Sequence, residues 1–451
     1  MAPTPLTTDT LQSVVLYSNI VIKTDLADFP FYPDIQSLAA FPTTFGALRH
    51  RDFRWLWTGT ICSTGSQWIQ QATLGWVVYD LTGSGALLGA VLGIRAIPML
   101  LLAPVSGLVA DRLDHRRALA ASQVLMFAIS VLLALGLALD RIEIWHLFAF
   151  TLLSGAGMTF DRTLRSTLLL DVVPRTEIAN AFALNTIAFS VMRTIGPAVA
   201  GFMIAWIGPA WNFAIQGLLF LGVAMSAFMI AAPHPAPHAH VRGSAWGDIK
   251  AGLRFAVTDP VARTMVAMGL IPPLLLIPSF SALMPVFAAD VFLTGPEGLG
   301  VLLSAVGVGG VAGGVLAASV SRYDRVGLVQ TLGLLAFALS LIGFALSTSI
   351  AVAVVFLAIA GAAEMVYANS QVTTLQMCAP EAMRGRVASL MPVFPAFISV
   401  GALTSGIGAD WLGAPAIVIV MALASVVIAG LAWTRNAALR ELRMSGLIGG
   451  R

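Results

Sequence analysis

The sequence predicts an all-α integral membrane protein whose twelve transmembrane helices form two pseudo-symmetric six-helix bundles. Three observations predict it. The 451 residues are 58% apolar and only 10% Asp, Glu, Lys or Arg, with a mean hydropathy of +0.88, whereas an average soluble domain carries roughly 25% charge. Cations gather in alternate connections between the apolar runs. Short motifs recur in the two halves of the chain.

A helix needs about 20 apolar residues to cross about 30 Å of hydrocarbon. Runs of that kind occupy residues 54–79, 84–109, 117–139, 145–170, 180–206 and 211–232. Six more follow at 263–290, 297–320, 327–347, 350–377, 387–410 and 415–434. Most connections are short, and the exception is 233–262, where Pro233-His234-Pro235-Ala236-Pro237 and a polar stretch separate the two sets. The organisation expected is a cytoplasmic tail over 1–46, a first bundle over 47–232, a cytoplasmic linker over 233–262, a second bundle over 263–435 and a tail over 436–451. Residues 1–46 have no cation before Lys23 and no apolar run followed by a small-residue cleavage site, so they do not read as a signal peptide.

Lys and Arg concentrate on the cytoplasmic side of membrane proteins. Here the even-numbered connections and the termini hold Arg112, Arg116 and Arg117; Arg175; Arg242, Lys250, Arg254 and Arg263; Arg322 and Arg325; Arg384 and Arg386; Arg435, Arg440, Arg443 and Arg451; and Lys23, Arg49, Arg51 and Arg54. The odd-numbered connections hold only Arg141. A missed or invented span would move every later loop to the other side, so this asymmetry supports the count and places both termini in the cytoplasm.

The repeat supports it independently. Val173-Pro174-Arg175-Thr176-Glu177 before Asn180-Ala181 corresponds to Ala379-Pro380-Glu381 before Arg384-Gly385-Arg386-Val387. At the same offset Ser154-Gly155-Ala156-Gly157 matches Ala360-Gly361-Ala362-Ala363, and Ala205-Trp206-Ile207-Gly208 matches Asp410-Trp411-Leu412-Gly413 one position away from it. Two parallel halves with a binding site between them are a common transporter plan.

Several function classes fall away. So little charge excludes a soluble or disordered chain and a nucleic-acid binder, and the net charge of +3 is explained by the cytoplasmic loops. Cys62 and Cys378 lie inside apolar spans and make no disulfide framework. His234, His238 and His240 read as a solvated linker rather than a metal site. No Gly-x-x-x-x-Gly-Lys-Ser/Thr loop, His-Glu-x-x-His helix or Gly-x-Ser-x-Gly elbow occurs, which argues against ATP-driven transport and against an enzyme; no cofactor is expected.

The second span ends in Gly107-Leu108-Val109-Ala110-Asp111-Arg112-Leu113-Asp114-His115-Arg116-Arg117. This closely resembles the Gly-x-x-x-Asp-Arg-x-Gly-Arg-Arg loop of the major facilitator superfamily, with Asp114 standing where that pattern often has Gly. Arg193-Thr194-Ile195-Gly196-Pro197-Ala198-Val199-Ala200-Gly201 is similar to the Gly-Pro motif of antiporters in that superfamily. Trp68-Ile69-Gln70, Tyr79-Asp80-Leu81-Thr82-Gly83-Ser84, Val173-Pro174-Arg175, Asn180-Ala181 and Arg384-Gly385-Arg386-Val387 resemble one branch, the bacterial transmembrane secretion effector family related to the enterobactin exporter. The resemblance covers roughly residues 47–435. It implies a major facilitator fold in a bacterial inner membrane and export of a siderophore, drug or amphiphilic metabolite by alternating access, energised by proton entry; a monomer is expected. The rival is a proton-coupled uptake permease of the same fold. The gating residues expected are Gly107, Asp111, Arg112, Arg116, Arg117, Gly196, Pro197, Gly201, Arg384 and Arg386.

A charged group in mid-bilayer costs about 2.5–3.5 kcal/mol on insertion scales, so each must be paired, hydrated or functional. Arg95, Arg193 and Glu364 lie near the middles of their spans, and Asp161 and Arg162 past the middle of the fourth. Asp161 and Arg193, on consecutive antiparallel helices, are expected to be able to pair. Glu364 has no charged neighbour on its own helix and is the first candidate for proton coupling, with Asp161 second. Arg95, with Arg193 and Arg162, is a candidate for binding an anionic group, its alternative being to pair with Glu364 or Asp161. Trp68, Tyr367, Asn369 and Gln371, with Gln71, Trp76 and Asn185, are the aromatic and amide groups that would suit an amphiphilic ligand, and packing roles compete for each of them.

Overall fold

A computed structural model describes residues 45–231, 254, 258–320, 323–378, 383 and 394–443. Most of the N-terminal tail, most of the 233–262 linker, Arg384, Arg386 and the side chain of Asp111 lie outside the described residues. Twelve helical passes follow one another: α1 (Arg51–Thr82), α2 (Gly85–Gly93 and Ala96–Arg112), α3 (His115–Ala138), α4 (Ile144–Val172), α5 (Ile178–Ile207) and α6 (Pro209–Met229). Then come α7, which runs from Pro260–Ile271 to Phe287–Val291, α8 (Gly295–Val320), α9 (Val326–Ala345), α10 (Ile350–Cys378), α11 (Phe394–Leu412) and α12 (Ala414–Arg435). The described residues contain no strand.

Nine of these passes are long and apolar enough to cross a membrane on length and composition alone. The other three are α1, α4 and α11. Polar residues from Thr58 to Gln71 dilute α1, Asp161, Arg162 and Arg165 dilute α4, and the described part of α11 is short. Two passes are irregular in ways the apolar pattern did not foretell. A turn at Ile94–Arg95 divides α2, and α7 contains two π-helical stretches, Pro272–Leu276 and Phe287–Val291. Pro272, Pro273, Pro278 and Pro285 deny α7 regular backbone donors, and the wider π turns absorb the mismatch.

The internal repeat is a packing repeat. In the first six helices α1 packs on α5 and α6, α2 on α4, and α3 on α4 and α6; six positions on, α7 packs on α11 and α12, α8 on α10, and α9 on α10 and α12. The matched Gly208 and Gly413 do the same local job. Both adopt positive φ, 85° and 86°, at the junctions α5–α6 and α11–α12. Their amides still close the preceding helices on Ile204 and Ala409. Only glycine enters that backbone region readily, and Pro209 and Pro415 then start the next helices.

The halves meet chiefly through α2 with α11 and α5 with α8. One end of the molecule carries the short connections between odd and even helices and is called the short-loop face; the opposite end is the basic face. A Cβ placed on Gly89 would stand 2.2 Å from the Ala402 carbonyl oxygen, one on Gly93 3.0 Å from that of Ser399, and one on Gly201 2.8 Å from the Gly300 Cα. These close approaches lie between the short-loop face and mid-height. Toward the basic face, Cβ atoms on Gly107 of α2 and Gly314 of α8 would meet nothing within 4 Å. The described parts of the halves therefore touch from the short-loop face to the middle.

Asp410 of α11 secures the closed end. Its carboxylate accepts from Ser84 Oγ (2.8 Å), the Gly85 amide (2.6 Å) and the Ala86 amide (3.0 Å) at the start of α2. A carboxylate there meets both free amides and the positive end of the helix. Beside it the Tyr79 hydroxyl of α1 donates to Asp290 of α7.

Candidate functional site

At mid-height a cavity of about 340 Å³ lies between the two halves. Arg95 and Met99 of α2, Trp68 and Gln71 of α1, and Phe189 and Arg193 of α5 line it from the first half. Phe280 and Ser281 of α7, Leu303 and Val306 of α8, Glu364 of α10 and Ser399 of α11 line it from the second. The volume falls at the low end of ligand pockets, which commonly combine apolar walls with a few placed polar groups.

An ion pair in the lining joins the two halves. Arg193 Nη2 donates to Glu364 Oε2 at 2.5 Å, with both side chains more than four-fifths buried. The Arg193 guanidinium also lies 5.9 Å from the centroid of the Trp68 ring, and Phe189 meets that ring edge-on at 5.8 Å. Gly196, one turn from Arg193, makes this possible: a Cβ there would sit 2.8 Å from Trp68 Cβ. Pro197 and Gly201 continue the same close packing, on Gly300 of α8.

The expected pairing of Asp161 with Arg193 is corrected by this geometry. Asp161 pairs instead with Arg165, one turn along its own helix, at 2.6 Å. It also accepts from Ser63 Oγ (2.9 Å) and Gln123 Nε2 (2.9 Å). A partner at i+4 needs no second helix to deliver it. Asp161 therefore belongs to a buried network inside the first half and does not line the cavity.

Other expected ligand-binding residues separate. Trp68, Arg95 and Arg193 line the cavity, whereas Arg162 is exposed beyond its described lining, close enough to Arg95 for their charges to interact. Tyr367 and Gln371 are buried and bonded to the backbone of α7, the Tyr367 hydroxyl to the Met268 carbonyl at 2.8 Å and Gln371 Nε2 to that of Met265 at 2.5 Å. These two hold α10 against α7. Asn369 lines a separate, smaller pocket with Tyr323 and Val326. Trp76 packs on the apolar core and Asn185 is not part of the cavity lining.

Phe189, Met99, Phe280, Ser281 and Ser399 are lining residues that the sequence reading missed. Phe189 carried a usable signal, since it precedes Arg193 by one helical turn and shares its face. The others depend on how α2, α7 and α11 are brought together.

In the loop at the basic face, Asp114 caps α3 by accepting from the Arg116 amide (2.9 Å) and the Arg117 amide (3.3 Å). Partial burial raises the pKa of its carboxyl, but these amides and the Arg116 guanidinium outweigh it and hold the group below the usual carboxylate range. Arg116 Nη1 donates to the Ile230 carbonyl at 2.5 Å, tying α3 to the end of α6, while Arg112 and Arg117 are exposed. Gly107 faces open space.

The fold and cavity fit what the chain is similar to among known proteins. It is 27% identical over 329 residues to the multidrug efflux pump Tap of Mycolicibacterium fortuitum, covering 70% of this chain and 78% of that one. It is 23% identical over 350 residues to the staphyloferrin A transporter of Staphylococcus aureus, covering 77% and 86%. Enterobactin exporter EntS of Escherichia coli O1:K1 is 26% identical over 292 residues, covering 63% and 68%. Among solved structures, the nucleoside transporter NupG aligns with a TM-score of 0.67 at 16% identity over 85% of this chain and 98% of that one. An inward-facing, unoccupied bacterial homolog of the human lysosomal transporter Spinster aligns at 0.66 and 15% identity, over 86% and 96%. These two likenesses carry the fold. The family model for transmembrane secretion effectors matches residues 42–447. The chain thus belongs to the transmembrane secretion effector family of the major facilitator superfamily, a multi-pass membrane transporter of small molecules and not an enzyme.

Proposed function

We propose that the protein exports a small molecule, a siderophore, drug or amphiphilic metabolite, across a bacterial inner membrane by proton antiport, as a monomer with both termini cytoplasmic. The observation that carries this reading is the Arg193–Glu364 ion pair, which joins the two halves across the cavity. The relatives named for efflux of drugs and of enterobactin support the direction.

The one-sided distribution of arginines supports a cytoplasmic basic face. The described state is then inward-facing, sealed on the far side by Asp410 and the α2–α11 glycines and entered from the cytoplasm. Cargo enters beside Trp68 and Phe189. Rocking of the halves breaks the far-side contacts and exposes Glu364 to the outer solution, where it takes up a proton. A neutral Glu364 no longer holds Arg193 as an ion pair, so the protonated and ionised carriers differ in how the halves are joined. Release of the proton to the cytoplasm restores the pair. Glu364 is the proton-coupling group, and Gly107, Arg116, Gly196, Pro197 and Gly201 serve the conformational change.

The test is a pH gradient across inside-out vesicles, challenged with siderophores and amphiphilic drugs and followed with a pH-sensitive dye. A compound that dissipates the gradient with wild type but not with Glu364→Gln supports the reading. Gradient-driven movement of that compound in the opposite direction would make the protein an uptake permease instead.

A further inference from the structure

We infer that the cargo is an amphiphilic anion, its carboxylate or other oxyanion held by Arg95 and its apolar body packed against Trp68, Phe189 and Phe280. The inference rests on the cavity being the cargo site of the transport reading and adds the charge of what enters it.

The charge balance of the cavity is the first ground. Two arginines, Arg95 and Arg193, and a single carboxylate, Glu364, line it. Arg193 and Glu364 satisfy each other at 2.5 Å. Arg95 makes no hydrogen bond or ion pair with any described residue, and the possible partners weighed for it are taken: Glu364 by Arg193, Asp161 by Arg165. The Arg162 charge acts on it repulsively, and Arg162 likewise has no ion pair among the described residues. A guanidinium in mid-membrane without a counter-charge, backed by a second one, is costly to keep unless an anion visits it. Its planar fork of donors suits a carboxylate or phosphate oxygen pair better than any cation or neutral amide.

Position is the second ground. Arg95 stands at the turn that divides α2, and its Cγ and carbonyl oxygen lie within about 3.2 Å of where a Cβ on Gly155 of α4 would be. Glycine at 155 thus gives the Arg95 stem room at the α2–α4 contact. The same cavity carries aromatic side chains: Trp68 and Phe189 from the first half, Phe280 from the second. An acidic head and an apolar body fit these two surfaces together. An inside-negative membrane potential also drives an anion outward, the direction proposed for the cargo.

The experiment uses three probes of one shape, 2-naphthoate, 2-naphthamide and 2-naphthylmethylammonium, titrated calorimetrically into the purified full chain in nanodiscs without a pH gradient. The expected result is that naphthoate binds at least tenfold more tightly than the other two. Arg95→Gln removes that preference, so that naphthoate binds no more tightly than naphthamide, and Arg95→Lys keeps part of it. Equal binding of all three, no binding of naphthoate, tighter binding of the ammonium probe, or a preference that survives Arg95→Gln overturns the inference. Because no proton movement is read, these outcomes are separate from the vesicle test. Proton-coupled export of a cation would sink the inference and leave the transport reading standing.

Discussion

Arg193 of α5 and Glu364 of α10 are 171 positions apart in sequence and 2.5 Å apart in space, and their ion pair is the only one among the described residues that joins the two halves. Buried on both sides, it escapes most of the solvent screening that makes surface pairs nearly worthless. Removing one partner leaves the other an uncompensated buried charge, so the pair is sensitive to a single proton. That sensitivity makes it suitable for coupling.

Asp410→Ala removes three hydrogen bonds that hold α11 to the start of α2. The short-loop face should open more often. In a background lacking Cys62 and Cys378, a cysteine at Ser399 should react several-fold faster with a membrane-impermeant maleimide applied from that side. Unchanged labelling would show that Asp410 does not secure the closed end.

Gly89→Ala places a methyl group 2.2 Å from the Ala402 carbonyl oxygen, a contact that backbone must move to relieve. The variant should disfavour the state sealed at the short-loop face and slow transport at least severalfold. Gly430→Ala, where a Cβ meets nothing within 4 Å, is the control and should transport as wild type.

Asp161→Asn strands Arg165 in a buried site, and breaking such a pair costs about 3–5 kcal/mol. The thermal midpoint of the purified protein should fall by several degrees, and binding at the cavity should persist in the folded fraction. A loss of cargo binding with unchanged stability would move Asp161 from the architecture of the first half into the transport site.

Asp114 should make stability of the basic face depend on pH. Its carboxyl pKa is lower in the folded chain than its ordinary value of about 3.9. The ionised group therefore contributes stability above that ordinary value and loses it as pH falls through the lower folded value. Wild type should be more stable than Asp114→Ala at pH 7, and the gap between their thermal midpoints should narrow on acidification. A gap that widens in acid contradicts the sign.

The twelve passes were legible in the sequence because three signals agree: apolar length, alternating loop charge and an internal repeat. The repeat even marked Gly208 and Gly413, whose positive φ is a local need that sequence can express. Side-chain partners were less legible. Depth along the span suggested Asp161 with Arg193, yet depth says nothing of which helix faces stand opposite, and Arg165 at i+4 was nearer. Glu364 was identified as a candidate from its isolation on α10, while its partner came from the other half. Tyr367 and Gln371 read as cavity groups because aromatic and amide side chains suit an amphiphilic ligand, but α7 supplies carbonyls that take their donors. Those carbonyls sit beside the irregular stretch of α7, whose prolines announce a departure from the helix without saying where the chain goes.

The most direct measurement is to separate exchange from accumulation in proteoliposomes carrying wild type or Glu364→Gln, using a cargo found in the vesicle screen. If Glu364 carries the proton, the variant still exchanges labelled for unlabelled cargo at equal concentrations but no longer accumulates cargo when a pH gradient is imposed. Accumulation by Glu364→Gln that matches wild type under the same gradient would contradict the account.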